Sequence, residues 1–378
     1  VLQATNNINF NSAVSIASAS GSPLAEAGNE IKVNAPVSGN GGALDFRAAN
    51  RFTLGAAGSL VNSGSVVITT DNVTLDGTIG TADSRPNVSF SPFSAGRGMG
   101  ISSTKSLGEL SLLPAELNRI AGSGISIGSS ATTGDIWVSA NYTPDAGKTP
   151  QLVLETGGSI RIDGIIDLSA NHKDSLAVLG RYGSAGGNIE VDGAGSVRAG
   201  GILVRSDSLV LGGTLNAGTN GNITITPHNP YTGIAIGGAA ADAAGMLGLA
   251  NAELGRLTSG QLTIRANAGD ITVAGAASFA NAGGVMLHAG EGNLALNAAL
   301  TTTSLLALQA GNQIGQGAGG LITAPEVEAR ARTVDLSQAN AVGAVSGHAN
   351  LGAFNFGASG DLAVGFVGNT SGITTSDA

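Results

Sequence analysis

Short runs of alternating apolar and polar residues recur along the chain, each closed by Asn, Asp or Gly. Four examples share one template: Asn7-Ile8-Asn9-Phe10-Asn11-Ser12-Ala13-Val14, Glu30-Ile31-Lys32-Val33-Asn34-Ala35-Pro36-Val37, Ser159-Ile160-Arg161-Ile162-Asp163-Gly164-Ile165-Ile166 and Asn293-Leu294-Ala295-Leu296-Asn297-Ala298-Ala299-Leu300. Alternation at period 2 puts Ile8/Phe10, Ile31/Val33, Ile160/Ile162 and Leu294/Leu296 on one strand face, with Asn9, Lys32, Arg161 and Ala295 on the other. The closing Asn or Asp tolerates a left-handed backbone and can bond its own chain, so a corner of one or two residues is expected there. The strand-corner-strand unit returns every ~20 residues, within the range of solenoid repeats. These features predict an all-β chain folded as a right-handed parallel β-helix, each strand pairing with its equivalent one coil away at ~4.8 Å.

A longer repeat overlies the coils. Residues 67–79 (VITTDNVTLDGTI) return as 203–215 (LVRSDSLVLGGTL), 88–92 as 223–227, 99–101 as 234–236, 115–120 (AELNRI) as 252–257 (AELGRL), and 134–138 as 269–273. The two copies are bounded at roughly 58–138 and 195–273, and 274–378 reads as further coils of one continuous solenoid, because repeating units bury apolar faces against their neighbours. Two segments break the rhythm with helical signals. In 106–121, Ser106-x-x-Glu109 reads as a capping box ahead of Pro114, and in 239–257 Asn251 is the expected cap. Glu116/Arg119 and Glu253/Arg256 are spaced to pair, each worth ~0.2–0.5 kcal/mol. Neither end shows a polar capping unit, and the chain opens without Met, so a processed piece of a longer rod, or rods docking end to end, is expected.

Composition narrows the function. The 378 residues include 60 glycines, 42% apolar and only 3% aromatic residues, so the material for the core is slim and aliphatic. Charged residues are 11% against roughly 25% in ordinary domains, leaving Ser, Thr, Asn and Gly to carry hydration. A net charge of −9 with 17 dispersed basic residues opposes nucleic-acid binding. The absence of cysteine excludes disulfides, thiolate metal sites and cysteine nucleophiles. No apolar run approaches the ~20 residues of a membrane span.

Five segments carry a resemblance to a known group: AGNEIKVNAPV (27–37), AELNRI (115–120), GDITV (269–273), GNLALNAAL (292–300) and ANAVGAVSG (339–347). The chain resembles the filamentous-haemagglutinin-like large exoproteins, β-helical adhesins of Gram-negative bacteria exported by two-partner secretion. The resemblance spans nearly the whole chain and implies a secreted or cell-surface adhesin, with an outer-membrane secretion partner for the full-length precursor. The Asn-Pro-Asn motifs of that family's secretion domain are missing, which points to the shaft.

No enzyme activity, cofactor or metal is expected. Asp163, Asp167, Asp192 and Asp207 fall on different coils, mostly at corner positions, so turn roles outweigh catalysis. His172, His228, His288 and His348 have no partner at metal-binding spacing. Expected partners are coils of the same or a neighbouring chain, glycans, and host or neighbouring cell surfaces. The candidate contacts lie on loops that break the coil rhythm: Arg85, Phe93 and Arg97 in 84–100, His228 and Tyr231 in 227–233, and Tyr142 and Tyr182 in similar breaks. A self-assembling filament or surface-layer subunit is the alternative, and a carbohydrate-active β-helix enzyme is a more distant one, to be favoured by a clustered acidic groove across adjacent coils.

Overall fold

A computed structural model describes residues 1–17, 24–169, 175–182 and 187–376. The chain is an all-β parallel solenoid, divided into two compact units, Val1–Gly200 and Gly201–Ala378. The boundary falls inside the second copy of the long repeat.

In the first unit, alternation translates into stacked rungs. Ile8 pairs in register with Ile31, Ile31 with Phe52 and Phe52 with Val73, steps of 23, 21 and 21 residues. A second ladder runs Leu44, Val66, Val88, Ile125, Leu152 and Ala177, and a third Met99, Ile136, Ile160 and Ile189. Every residue of these last two ladders is buried. Each inward Val, Ile or Leu removed from water contributes roughly 1.5–3 kcal/mol, so the ladders carry most of the stabilisation. Near the first coils, Phe10, Phe46 and Phe52 pack as an aromatic group with ring centroids 6.2 and 5.3 Å apart.

The second unit repeats the scheme. Ile223, Leu262, Val285, Leu306, Val327 and Val345 form one inward ladder, and Ile234, Ile271, Leu294, Ile314 and Val334 another. Asn340, fully buried, ties neighbouring turns together. Its Nδ2 donates to the carbonyls of Leu336 and Gly357, both at 3.0 Å, and its Oδ1 accepts from Ile322 N at 2.9 Å and Gln316 Nε2 at 2.6 Å.

The corners differ from expectation. Among the described residues, only glycines have positive φ. Corner asparagines work instead through their side chains, handing one hydrogen bond from coil to coil. Asn29 Nδ2 donates to Asn7 Oδ1 at 2.8 Å, Asn50 to Asn29 at 3.0 Å and Asn72 to Asn50 at 3.2 Å. In the second unit Asn312 donates to Asn293 at 2.8 Å and Asn293 to Asp270 at 3.1 Å. An amide carries both donor and acceptor, so a column of Asn satisfies itself without left-handed strain.

Both helical turns form, but shorter and differently capped. Strand Glu109–Leu112 lies beside Gly98–Ile101 and leads into helix Pro114–Leu117, while Met246–Leu249 lies beside Gly233–Ile236 and leads into helix Asn251–Leu254. Glu109 is therefore in a strand, and the Ser106 hydroxyl accepts from Gly108 N at 3.3 Å instead of capping. Asn251 is the first helical residue rather than the cap, and its Oδ1 accepts from Ser278 N at 2.9 Å. Glu116 closes the first turn by accepting from Leu113 N at 2.9 Å and Leu75 N at 3.0 Å; Glu253 does the same with Ala250 N and Leu211 N, both at 2.9 Å.

The expected Glu116/Arg119 pair is replaced: Glu116 holds Lys105, and Arg119 donates to the Asp76 carbonyl at 2.7 Å. Arg256 likewise turns to the Gly212 carbonyl. In both copies the Glu and the Arg reach different groups of the neighbouring coil, the Glu a backbone N–H and the Arg a backbone carbonyl, instead of each other.

The coil rhythm also breaks near the C-terminal end of the second unit. Phe366–Val367 and Thr370–Ser371 form an antiparallel hairpin, with Gly368 at φ +60° in its turn. Ser346 donates to the Val367 carbonyl at 3.0 Å and Thr370 bonds Glu328, so two outward-facing polar residues of the coils, Glu328 and Ser346, are buried under it.

Candidate functional site

Five of the seven loop residues expected to meet a partner are occupied within the fold or half-buried. The Arg85 guanidinium donates to the carbonyls of Gly122 at 3.2 Å and Lys148 at 2.5 Å. Arg97 donates to the Asp71 carbonyl at 2.9 Å and the Leu107 carbonyl at 2.6 Å. The segment 84–100 is not one loop as expected, because Asn87–Ser91 and Gly98–Ile101 are strands paired within the coils and the stretch between them leaves the sheets. Tyr142 is buried, bridged to Ile166, with burial first and the Asp145 charge second raising its phenol above the usual range. It is therefore withdrawn as a contact residue. The half-buried Tyr182 hydroxyl donates to Glu155 Oε1 at 2.8 Å. His228 is half-buried, in a turn where Asn229 N donates to Asp207 Oδ1 at 2.9 Å. Phe93 and Tyr231 remain turned outward, Phe93 against an open groove shared with Gln3, Thr5, Glu26 and Gly28. His172 lies outside the described residues.

A different cluster emerges on the flank of the first unit. Strands Ile136–Val138, Ile160–Ile162 and Ile189–Val191 are adjacent and parallel, with Trp137, Arg161 and Glu190 in register on the outward side. Each of these residues lies between two buried aliphatics, so the pleat forces it outward. Asp163 and Asp192, two residues beyond Arg161 and Glu190, lie at the following corners. The Arg161 guanidinium meets all three carboxylates: Asp163 at 2.7 Å, Asp192 at 3.6 Å and Glu190 at 3.7 Å. The Trp137 indole N–H donates to Asp163 Oδ2 at 2.8 Å, although the side of the ring stays open, the residue being 44% exposed. The hydrogen bond to Asp163, with the neighbouring acids, raises the proton affinity of Arg161 further above its already high value.

Asp163 and Asp192 fall on different coils, as expected, yet different coils do not keep them apart, because stacking brings residues of successive coils within one salt-bridge distance. The remaining two acids of the set stand apart: Asp167 faces Arg198 at 3.8 Å and Asp207 holds the Asn229 turn. Among the described residues, no group of three acidic or His side chains is arranged to hold a metal ion, and no helix is long and apolar enough to cross a membrane.

A second surface feature lies at the first coils. Val1, at 83% exposure, and Leu2 rim a small apolar recess of about 190 Å³ that reaches Phe10, Val37 and Phe46.

No family model, curated protein or solved structure matches the chain. The parallel solenoid is consistent with a β-helical adhesin, and no match confirms the resemblance to filamentous-haemagglutinin-like exoproteins.

Proposed function

We propose that the chain is a non-enzymatic structural protein of the cell exterior, a β-helical shaft segment of a secreted or surface-attached exoprotein that mediates adhesion or contact with a biofilm matrix. The observation that carries this reading is the repeated use, within each unit, of parallel coils with aliphatic ladders inside and Asn-rich ladders outside. Such a chain gives most of its residues to coil stacking and presents a long, weakly charged side to its surroundings. Glycans and neighbouring cell surfaces are the partners, and a full-length precursor would leave the cell through an outer-membrane secretion partner.

One observation favours the enzymatic alternative, the convergence of Asp163, Glu190 and Asp192. An acid–base pair needs one carboxyl free to exchange its proton at the scissile bond, whereas all three here face one guanidinium, and Asp163 also accepts from Trp137. The arrangement suits recognition better than turnover. The stacking of parallel coils supports end-to-end assembly, a filament or surface-layer subunit, as the alternative within the structural class.

Beads coated with the purified chain should adhere to bacterial or host cells well above albumin-coated beads, while the same protein releases no reducing ends from polysaccharide. Absent adherence together with steady release of reducing ends would replace the shaft with a carbohydrate-active enzyme.

A further inference from the structure

We infer that the outward column Trp137–Arg161–Glu190, with Asp163 and Asp192 at its corners, binds a cationic amino sugar within a linear glycan. The inference deepens the adhesive reading, and rests on it, by naming the chemistry of the partner. It starts from the tryptophan. Trp137 is the one tryptophan in the chain, and it is placed on an outward strand position where the coil on one side carries Gly100 and the coil on the other carries Arg161. Its N–H is committed to Asp163, which fixes the orientation of the indole while leaving 44% of the residue in solvent. A held, exposed indole offers a flat apolar surface to a pyranose ring, and its π face attracts a cation more strongly than that of any other aromatic side chain.

Charge selects among sugars. Three carboxylates face one guanidinium, a local excess of two negative charges from Asp163, Glu190 and Asp192 against Arg161. The contacts at 3.6 and 3.7 Å are long and on an exposed guanidinium, so they hold Glu190 and Asp192 weakly. Asp192, its side chain 49% exposed, is open to an incoming ammonium. Sulfated and uronic-acid glycans are repelled by the same excess. Neutral sugars would gain the stacking but not the ion pair. Two coil steps, about 10 Å along the stack, separate the indole from Glu190, so a linear oligosaccharide laid along the column meets the aromatic platform and then the acids.

Because Trp137 is the one tryptophan, its emission reports on this site. The test uses the whole chain at pH 6 in low salt, titrated with a fully de-N-acetylated glucosamine hexamer. A saturable change in Trp137 emission is expected, with affinity at least about ten-fold weaker for the N-acetylated hexamer and for the D163N/D192N variant. The milder Glu190→Gln variant, followed the same way, keeps the test valid if the double variant does not fold. Calorimetry on Trp137→Ala should show loss of hexamer binding while circular dichroism is unchanged. An unchanged emission, equal affinity for the N-acetylated hexamer, or equal affinity for hexalysine would each overturn the proposal, the last by showing mere attraction to an acidic chain. Failure here leaves bead adherence as it was found, so the adhesive reading and its proposed ligand fail separately.

Discussion

At the scale of the residue, the most informative side chain is asparagine. In the column Asn7–Asn29–Asn50–Asn72 the middle members, Asn29 and Asn50, each give one amide hydrogen bond and receive one, so removing either breaks two. Asn29→Ala is expected to cost about 1–3 kcal/mol at about 0.5–1.5 kcal/mol per bond, measured by urea denaturation. A change below a few tenths would mean that the ladder is ornamental. Histidine gives the pH dependence. His288 stands in register between Arg265 and Gln309, and burial first, then the Arg265 charge, lowers its proton affinity. The folded state then binds fewer protons than the unfolded state below the ordinary value of 6.5. Its contribution to stability is thus complete above that pH and is lost as pH falls through the lowered folded value. Between pH 7.5 and 5.5 the parent should lose more stability than His288→Gln; equal losses would remove His288 from the account.

The residue scale is also where the sequence was most and least legible. Inward residues such as Ile31, Val33, Ile160 and Leu294 followed from alternation alone, because a pleated strand leaves no choice of face. Trp137 and Arg161 were equally readable as outward. Their meeting with Glu190 was not, since the steps between them are 24 and 29 residues, and register across unequal coils depends on how each intervening loop folds back. The closing residues Asn11 and Asn34 do meet across coils, Asn34 Nδ2 donating to Asn11 Oδ1 at 2.8 Å, a role of contact with the next coil rather than of local backbone tolerance. The longer column from Asn7 to Asn72 lies at the leading end of the alternating runs and went unread.

Among elements, the inserted turns and the polar knots decide how coils lock together. Pro114 marked the first helix correctly, whereas the capping signals at Ser106 and Asn251 were misleading. Glu116 and Glu253, inside the helices, do the closing because they also reach Leu75 N and Leu211 N across the coil. The C-terminal hairpin went unread, since its strands are two residues each and carry too little alternation to separate from coil rhythm. Asn340 offers the sharpest test of element locking. Asn340→Ala strips partners from Ile322 N and from the carbonyls of Leu336 and Gly357 in a buried site. At about 1–3 kcal/mol per stranded group, a loss of about 3 kcal/mol or more is expected in the unfolding free energy from chemical denaturation, larger than that of Asn29→Ala. The reverse ranking would contradict the view that buried knots, more than exterior ladders, hold the second unit.

For the whole molecule, fold and function separate. Parallel coils were foreseeable because a 20-residue rhythm, slim apolar residues and 60 glycines leave few other ways to bury so much alternating sequence. Function is set by what decorates the coils, and one solenoid scaffold serves shafts, binding surfaces and enzymes alike. The central claim is that this chain works outside the cell as an adhesive shaft. Its most direct test is immunogold electron microscopy of unpermeabilised producing cells, using antibodies raised against the purified chain. The account predicts label on the cell surface or on material extending from it, and antibody fragments that bind there should reduce adherence. Label absent from intact cells and appearing in the cytoplasm only after sectioning would contradict it.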